Sequence, residues 1–359
     1  MLAPLWDSLM KRLKSSPRRA AGAVSVPAVR RRAAREVAAL LESGMKVALT
    51  THVNADGDGA GAEVALWHLL MARGVRAAIA NPTPFPARYD FLLRGMEHAN
   101  KTGEAVKHVR RADAIVVLDI ADLDRLGQLG DVVRAAGVPV VCVDHHTTNG
   151  SLPPGPRLVD AAACATGELV FDLARANRWP LSPEIARALY VAILTDTGGF
   201  RFSNTSPRTL RVAAELLSEG LHAEEIYREV YATASEGRIR LMAEVLETLV
   251  VEREIGLAWV TVPPGALERY GVDSEELEGV VEFPRSIRGV RLALLFRQLA
   301  SGRIKVSFRS IGDVDVARLG GVFGGGGHVK AAGASLVGTL AEVQTQVLET
   351  AREELRRRS

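Results

Sequence analysis

Three observations predict an α/β protein with a doubly wound, mainly parallel sheet in its N-terminal domain, a helical linker, and a smaller α+β domain after it. Short, uninterrupted β-branched runs alternate with helix-like segments from about residue 35; a charged, strand-free stretch follows residue 215; alternating strands and a glycine-rich segment come after residue 249. Runs that are apolar at every position suit strands covered on both faces, the condition of a parallel sheet wound with helices. A chain of 359 residues, 47% hydrophobic and 24% charged, has the length and balance of two soluble globular domains.

Residues 1–36 read as a basic arm, with Lys11, Arg12, Lys14, Arg18, Arg19, Arg30, Arg31 and Arg32 set against few acids. Its apolar stretch AAGAVSVPAV is short and broken by Pro27, which suits neither a signal peptide nor a membrane span. Two readings of it stand: a solvated, partly helical arm, or a contact with nucleic acid or acidic lipid. In the first domain, residues 37–215, KVALT (46–50) reads as a strand, AEVALWHLLMARG (62–74) as a helix ending on Gly74, and VRAAIA (75–80) as a strand. Pro82, Pro84 and Pro86 mark an irregular loop. AIVVLD (114–119) and VPVVCVD (138–144) are further strands, followed by helices TGELVFDLARAN (166–177) and SPEIARALYVAILTDTG (182–198), the second with a Ser cap and Pro in its first turn.

A charged helical segment, EEIYREVYATASEGRIRLMAEVLETLV, makes residues 216–248 a linker. In the second domain, residues 249–359, the first strand is GLAWVTV, and VRLALLFRQLASGRIKVSFRS gives two strands turned at Ser301-Gly302. GGVFGGGGHVKAAGASL and a basic helix close the chain. The glycines Gly324 to Gly327 let backbone N–H groups approach a phosphate, and the segment after them is expected to begin a helix whose N-terminus favours an anion. A plain flexible hairpin is the other reading of such a run.

The charge balance, 45 Lys+Arg against 42 Asp+Glu, gives a net +3 and points to a local anion-facing patch rather than a uniformly basic surface. Two cysteines, Cys142 and Cys164, in apolar surroundings support neither a disulfide framework nor a thiolate metal site, and a reducing, cytoplasmic compartment is expected. An aromatic content of 5% argues against an extended base-stacking platform.

The chemistry gathers at strand ends. His52, Asp56 and Asp58 follow the first strand, Asp119 ends the third, and Asp144, His145 and His146 end the fourth, so three strands deliver imidazole and carboxylate to the crevice where open parallel sheets bind ligands. Taken singly, such an aspartate caps a helix or turn, and such a histidine pair is a surface or hydrogen-bonded feature. Taken together, carboxylates in one cleft repel each other, and with no clustered Lys or Arg in these motifs, metal ions are the remaining source of positive charge. Asp196, before Gly198-Gly199, is either a fourth carboxylate of the site or a hydrogen-bonding residue at a helix end, and Arg201 beside it could hold phosphate.

Carboxylate and imidazole without sulfur favour Mn²⁺ or another octahedral divalent ion, with Mg²⁺, Co²⁺ or Zn²⁺ as alternatives. The acids suffice for two ions about 3.5–4 Å apart, the arrangement that activates water against a phosphate ester. Gly57, Gly59 and Gly61 are expected to keep the first turn tight and leave space for ions and phosphate.

At these residues the sequence resembles the DHH family of phosphoesterases. Asp144-His145-His146 in VVCVDHHTTNG stands as the naming signature; THVNADGDGAGAEVAL matches the first motif, VVLDIADLDRLG the second and LTDTGGFRFSNT the fourth; KVSFRS and FGGGGHVKAAGA look like the companion DHHA1 domain. The likeness runs from about residue 40 to about 350. It implies one metal held by His52, Asp56 and Asp119, and a second held by Asp58, Asp119, His145 and Asp196, with Asp119 bridging. It further implies His146 facing the substrate phosphate, Asp144 supporting the imidazoles from behind, and Arg309, Gly325, Gly326, Gly327 and His328 at the substrate's phosphate or nucleotide end. Ala55 and Gly61-Ala62 depart from the usual proline and glycine-serine at positions that are not ligands.

The two-domain layout resembles the NrnA-like branch. That branch implies hydrolysis of short single-stranded oligoribonucleotides, linear dinucleotides included, with 3′-phosphoadenosine 5′-phosphate (pAp) as a second substrate, a homodimer, and no membrane partner. A RecJ-like single-strand DNA exonuclease and a non-catalytic nucleotide sensor are the alternatives.

Overall fold

All five residues of AIVVL and of VVCVD are buried, which only a strand with neighbours on both edges and cover on both faces can satisfy. The computed structural model describes residues 24–357, except 94, 97, 99–101, 121, 147–154, 233, 278 and 300, and of Thr102, Glu275 and His328 the backbone alone. Lys11, Arg12, Lys14, Arg18 and Arg19 lie outside the described residues. The chain divides into two compact units, 1–233 and 234–359.

In chain order the first unit has α1 (Ala28–Ala39), β1 (Lys46–Thr50), α2 (Gly57–Met71), β2 (Arg76–Ile79), α3 (Thr102–Arg110), β3 (Ala114–Leu118), α4 (Gln128–Arg134), β4 (Val140–Asp144), β5 (Arg157–Val159), α5 (Thr166–Ala176), α6 (Pro183–Asp196), α7 (Pro207–Leu217) and α8 (Ala223–Tyr231). Its sheet is parallel throughout, in the order β2-β1-β3-β4-β5. One face, with Leu49, Val116, Leu118 and Val143, packs on α1, α2, α5 and α6. The other, with Ala48, Ile115, Val117 and Cys142, packs on α3 and α4. Strand order reverses between β1 and β3, so their carboxyl ends flank the crevice that a doubly wound sheet reserves for ligands.

Helix α2 begins at Gly57, ahead of the expected Ala62, because Asp56 caps it: its Oδ1 accepts from the Asp58 and Gly59 amides at 3.0 and 3.1 Å. Its glycines do not leave room for ions. A Cβ at Gly61 would meet the Ala188 carbonyl at 2.5 Å, and one at Gly57 or Gly59 would meet Thr195 or Thr51, so the small residues serve close helix packing.

The second unit contains α9 (Glu236–Glu247), β6 (Val250–Glu252), β7 (Leu257–Thr261), α10 (Ala266–Tyr270), α11 (Glu282–Arg285), β8 (Leu292–Gln298), β9 (Ile304–Ser310), α12 (Val316–Val322), β10 (Gly326–His328), β11 (Ala331–Leu336) and α13 (Leu340–Arg356). The charged segment read as one helix is two, α8 and α9, because Ser235 caps a new start by accepting from the Arg238 amide. β6 was not expected before GLAWVTV. The sheet is mixed, ordered β10-β11-β9-β8-β7-β6, with only β7 and β8 parallel. One face packs on α12 and α13 through Phe296, Val306 and Phe308, and the other packs on α9 to α11 through Ala258, Val260, Ala293 and Leu295.

The glycine run does not lead into a helix. It enters a hairpin, in which AAGASL pairs antiparallel with both β10 and β9, since alternating small side chains suit a strand between close neighbours. Among the described residues no helix is long and apolar enough to cross a membrane.

Arg30 is not part of a solvated arm. It is buried, donating from Nε to Asp160 at 2.6 Å and from Nη1 to Glu168 at 2.6 Å and Asp172 at 2.8 Å. Arg208 closes the cluster from α7, reaching Glu168 and Asp172 at 2.5 Å each. Arg30→Met strips a cation from buried carboxylates and is expected to lower the unfolding free energy by about 3–5 kcal/mol, read as a fall in the urea midpoint at constant m. An unchanged midpoint would show that the network contributes no stability.

Candidate metal centre

The first site residue is fixed by its own backbone. His52 donates from Nδ1 to the Val53 carbonyl, 3.0 Å away, which leaves Nε2 as the lone-pair nitrogen. That atom is buried and has no hydrogen-bond partner, yet it stands 3.8 Å from Asp56 Oδ2 and 3.5 Å from Asp119 Oδ2. Two ligands on one divalent ion, each about 2.1 Å from it, lie about 3–3.4 Å apart, so this spacing fits a cation between them better than a hydrogen bond.

Asp119 follows β3 and sits at φ 61°, in the left-handed region that Asp and Asn tolerate best among side-chain-bearing residues. That turn aims its carboxylate back over the strand ends. Oδ1 accepts from Thr166 Oγ1 at 3.0 Å and lies 3.6 Å from both His145 Nε2 and His146 Nδ1. Burial alone would raise its pKa, but the facing imidazoles of His52, His146 and His145 hold it below the usual carboxylate range.

His145 Nε2 is also 3.6 Å from Asp58 Oδ2 and 3.7 Å from Asp196 Oδ2. Three groupings of possible ligand atoms result: His52, Asp56 and Asp119; Asp58, His145 and Asp196; and Asp119, His145 and His146. Asp58 is buried, and the start of α5 grips it, with the Thr166 amide on Oδ2 at 2.6 Å and the Gly167 amide on Oδ1 at 2.9 Å. Those donors do not offset burial and the repulsion of Asp119, Asp196 and Asp56, which keep its pKa well above normal. Burial likewise pushes Asp196 up to about 6, with His145 opposing and Asp119 reinforcing the shift.

Asp144 ends β4, fully buried, and its Oδ1 accepts from His146 Nδ1 at 2.7 Å and from the His146 amide at 3.2 Å. It orients His146 rather than both imidazoles, raises that ring's pKa, and leaves Nε2 for an outside partner. Arg201 is exposed, with Nε on the Gly198 carbonyl at 2.6 Å.

In the second unit, Arg309 is 3.4 Å from Glu282. The hairpin backbone accounts for two of the three glycines: a Cβ at Gly325 would meet the Gly333 carbonyl at 2.1 Å and one at Gly327 the Ala331 carbonyl at 2.4 Å, whereas Gly326 faces open space. The His328 backbone pairs with Ala331, which pairs in turn with Arg309; the His328 side chain lies outside the described atoms.

The sequence reading missed Thr166, Gly167 and Asn204. Asn204 Nδ2 donates to Asp196 Oδ2 at 3.2 Å and to the Cys164 carbonyl at 2.9 Å. Thr166-Gly167 at a predicted helix start was the available signal, since free amides there seek an anion.

Residues 46–193 match the DHH family, N-terminal domain, and residues 257–357 match the DHHA1 domain. The chain is 35% identical over 320 residues to the bifunctional oligoribonuclease and PAP phosphatase NrnA of Thermus thermophilus, covering 86% of this chain and 90% of that protein. Among solved structures, an exopolyphosphatase-related protein from Bacteroides fragilis superposes with a TM-score of 0.83 at 29% identity, over 90% of this chain and 98% of that one. The Mn²⁺ complex of RecJ from Thermus thermophilus shares the fold at a TM-score of 0.53 and 16% identity, over 94% of this chain and 56% of that one.

The raised carboxyls set a pH dependence for metal binding. Asp196 must lose its proton to ligate, so Mn²⁺ affinity should fall as pH drops through about 6, and binding near that pH should release protons. Calorimetry in two buffers of different ionisation enthalpy reads both effects. Affinity and heat independent of pH and buffer would remove Asp58 and Asp196 from the ligand set.

Proposed function

This chain belongs to the DHH family of phosphoesterases, and on that premise we propose that it hydrolyses short single-stranded oligoribonucleotides, linear dinucleotides included, to mononucleotides, and converts pAp to AMP. One observation carries the reading: Asp119 stands between two groups of ligand atoms, with the orphaned His52 Nε2 on one side and His145 on the other. In this reading His52, Asp56 and Asp119 hold one divalent ion, and Asp58, Asp119, His145 and Asp196 hold a second, Mn²⁺ before Mg²⁺. When bound, such a pair lowers the pKa of a water and neutralises phosphoryl oxygens.

The remaining steps fall to the protein's own groups. His146, kept basic by Asp144, donates from Nε2 to a phosphate oxygen as charge builds there. The Thr166 hydroxyl and the α5 amides hold Asp119 and Asp58 in place, so the carboxylates do not reorganise when the ester bond breaks. Water supplies the oxygen that joins phosphorus, and the ester oxygen leaves as an alcohol. Arg309, Gly325, Gly326, Gly327 and His328 take the substrate's phosphate or nucleotide end.

Asp119→Asn tests the centre, because Asn accepts the left-handed backbone while losing the charge. It should fold as the parent does by circular dichroism and lose at least about a thousandfold in kcat/KM on a dinucleotide. Unchanged turnover would end the bridging role. With the parent protein, intact dinucleotides and pAp alongside degraded long single-stranded DNA would replace this reading with the exonuclease one.

A further inference from the structure

The sheet of the second unit is covered unevenly. Helices α12 and α13 cover one face, but on the other α9 to α11 pack over β7 and β8 and α11 meets β9, with Glu282 3.4 Å from Arg309, so within this unit and among the described residues no helix packs over the outer face of β11 and β10. The outward positions of β9 are Lys305, Ser307 and Arg309, and those of β11 beside them are Ser335, Gly333 and Ala331. Small side chains make a floor, and cations stand at its two ends.

Lys305 sits directly opposite Arg297 of β8. Like charges in that position destabilise an antiparallel pair, and sheets ordinarily avoid them or place an acid between. No acid is there. Among the described residues neither side chain forms an ion pair within 4.0 Å, and Arg297 Nη1 reaches only the Ser274 carbonyl at 3.5 Å. Burial, then Arg297 and Arg309, lower the Lys305 pKa, and burial lowers that of Arg297. A cation pair of one half-buried arginine and one exposed lysine, with no counter-charge among the described residues, favours an anion beside it.

We propose that Arg297 and Lys305 form a second phosphate subsite, which engages the backbone of an oligonucleotide long enough to reach from the Arg309 row to the Lys305 row. Four residues of strand separate the rows, about 13 Å along β9. A nucleoside bisphosphate or a dinucleotide held at Arg309 does not span that distance with a further phosphate, whereas a longer strand does. The pair therefore sets affinity for length and leaves the smallest substrates unaffected. The inference rests on the reading of the protein as a phosphoesterase of short oligonucleotides.

The test uses the full chain with Mn²⁺ and the single variants Lys305→Gln and Arg297→Gln. KM is measured on pAp and on RNA from dinucleotide to heptanucleotide, and binding of a labelled pentanucleotide is followed by anisotropy without added metal. Each variant should raise KM and Kd for the pentanucleotide and heptanucleotide about tenfold and leave pAp and the dinucleotide unchanged. The slope of log affinity for the pentanucleotide against log salt should flatten by about 0.7 for each phosphate no longer neutralised. Thermal midpoints should not fall, because each substitution relieves a like-charge pair, and this separates a binding role from a structural one. Equal effects at all lengths, or none at any, would overturn the subsite. If the parent cleaves no short substrate, the functional reading fails, and the anisotropy series still decides the subsite.

Discussion

Asp56, Asp58, Asp119, Asp144 and Asp196 converge on the carboxyl ends of three parallel strands and one helix, and the repulsion among them is the constraint the surrounding structure answers. Each has a neutral or imidazole donor: helix amides for Asp56 and Asp58, Thr166 for Asp119, His146 for Asp144, Asn204 for Asp196. Among the described residues no Lys or Arg forms an ion pair with any of them. Hydrogen bonds orient carboxylates but do not remove their charge, which is why Asp58 and Asp196 still resist ionisation.

Helix α5 shows that arginine was available. Two and six residues after Thr166, Glu168 and Asp172 are as deeply buried as Asp58, yet Arg30 and Arg208 neutralise them. Glu168 also accepts from the Cys164 amide at 3.1 Å, so this paired cluster holds the loop and the first turn whose free amides grip Asp58. Charge is matched internally where the acids are structural and left open where a cation from solution completes the site. Arg30, from a segment that reads as a solvated tail, thereby acts on the geometry of a centre it does not touch.

Much of this was legible because strand ends are easy to place. Uninterrupted runs such as AIVVL fix the sheet, and an aspartate or histidine just after one is delivered to the crevice whatever the loop does. What was hidden depended on contacts between distant segments. The acids that Arg30 meets lie just after β5 and on α5, far along the chain, and nothing local separates it from Arg31 and Arg32. The glycines misled twice for one reason: a missing Cβ serves close backbone approach as well as it serves a ligand, and only the neighbouring chain tells which. At Gly61 that neighbour is α6, and at Gly325 it is β11. The helix expected after Gly327 failed because AAGASL is compatible with either period, and pairing with β9 decided it.

A net charge of +3 conceals two unmatched clusters of opposite sign. One unit gathers carboxylates around imidazoles with no basic side chain among them; the other sets Arg297, Lys305 and Arg309 on one sheet face with Glu282 as the one acid paired to any of them among the described residues. Each arrangement costs stability in isolation, and each is relieved by the opposite kind of ligand: divalent cations in the first, phosphate in the second. Under the proposed function, metal ions supply the first kind of charge and the phosphates of the substrate the second. If Arg297 and Lys305 take phosphates as proposed, an oligonucleotide carries more of them than a nucleoside bisphosphate does, and length is read through charge alone.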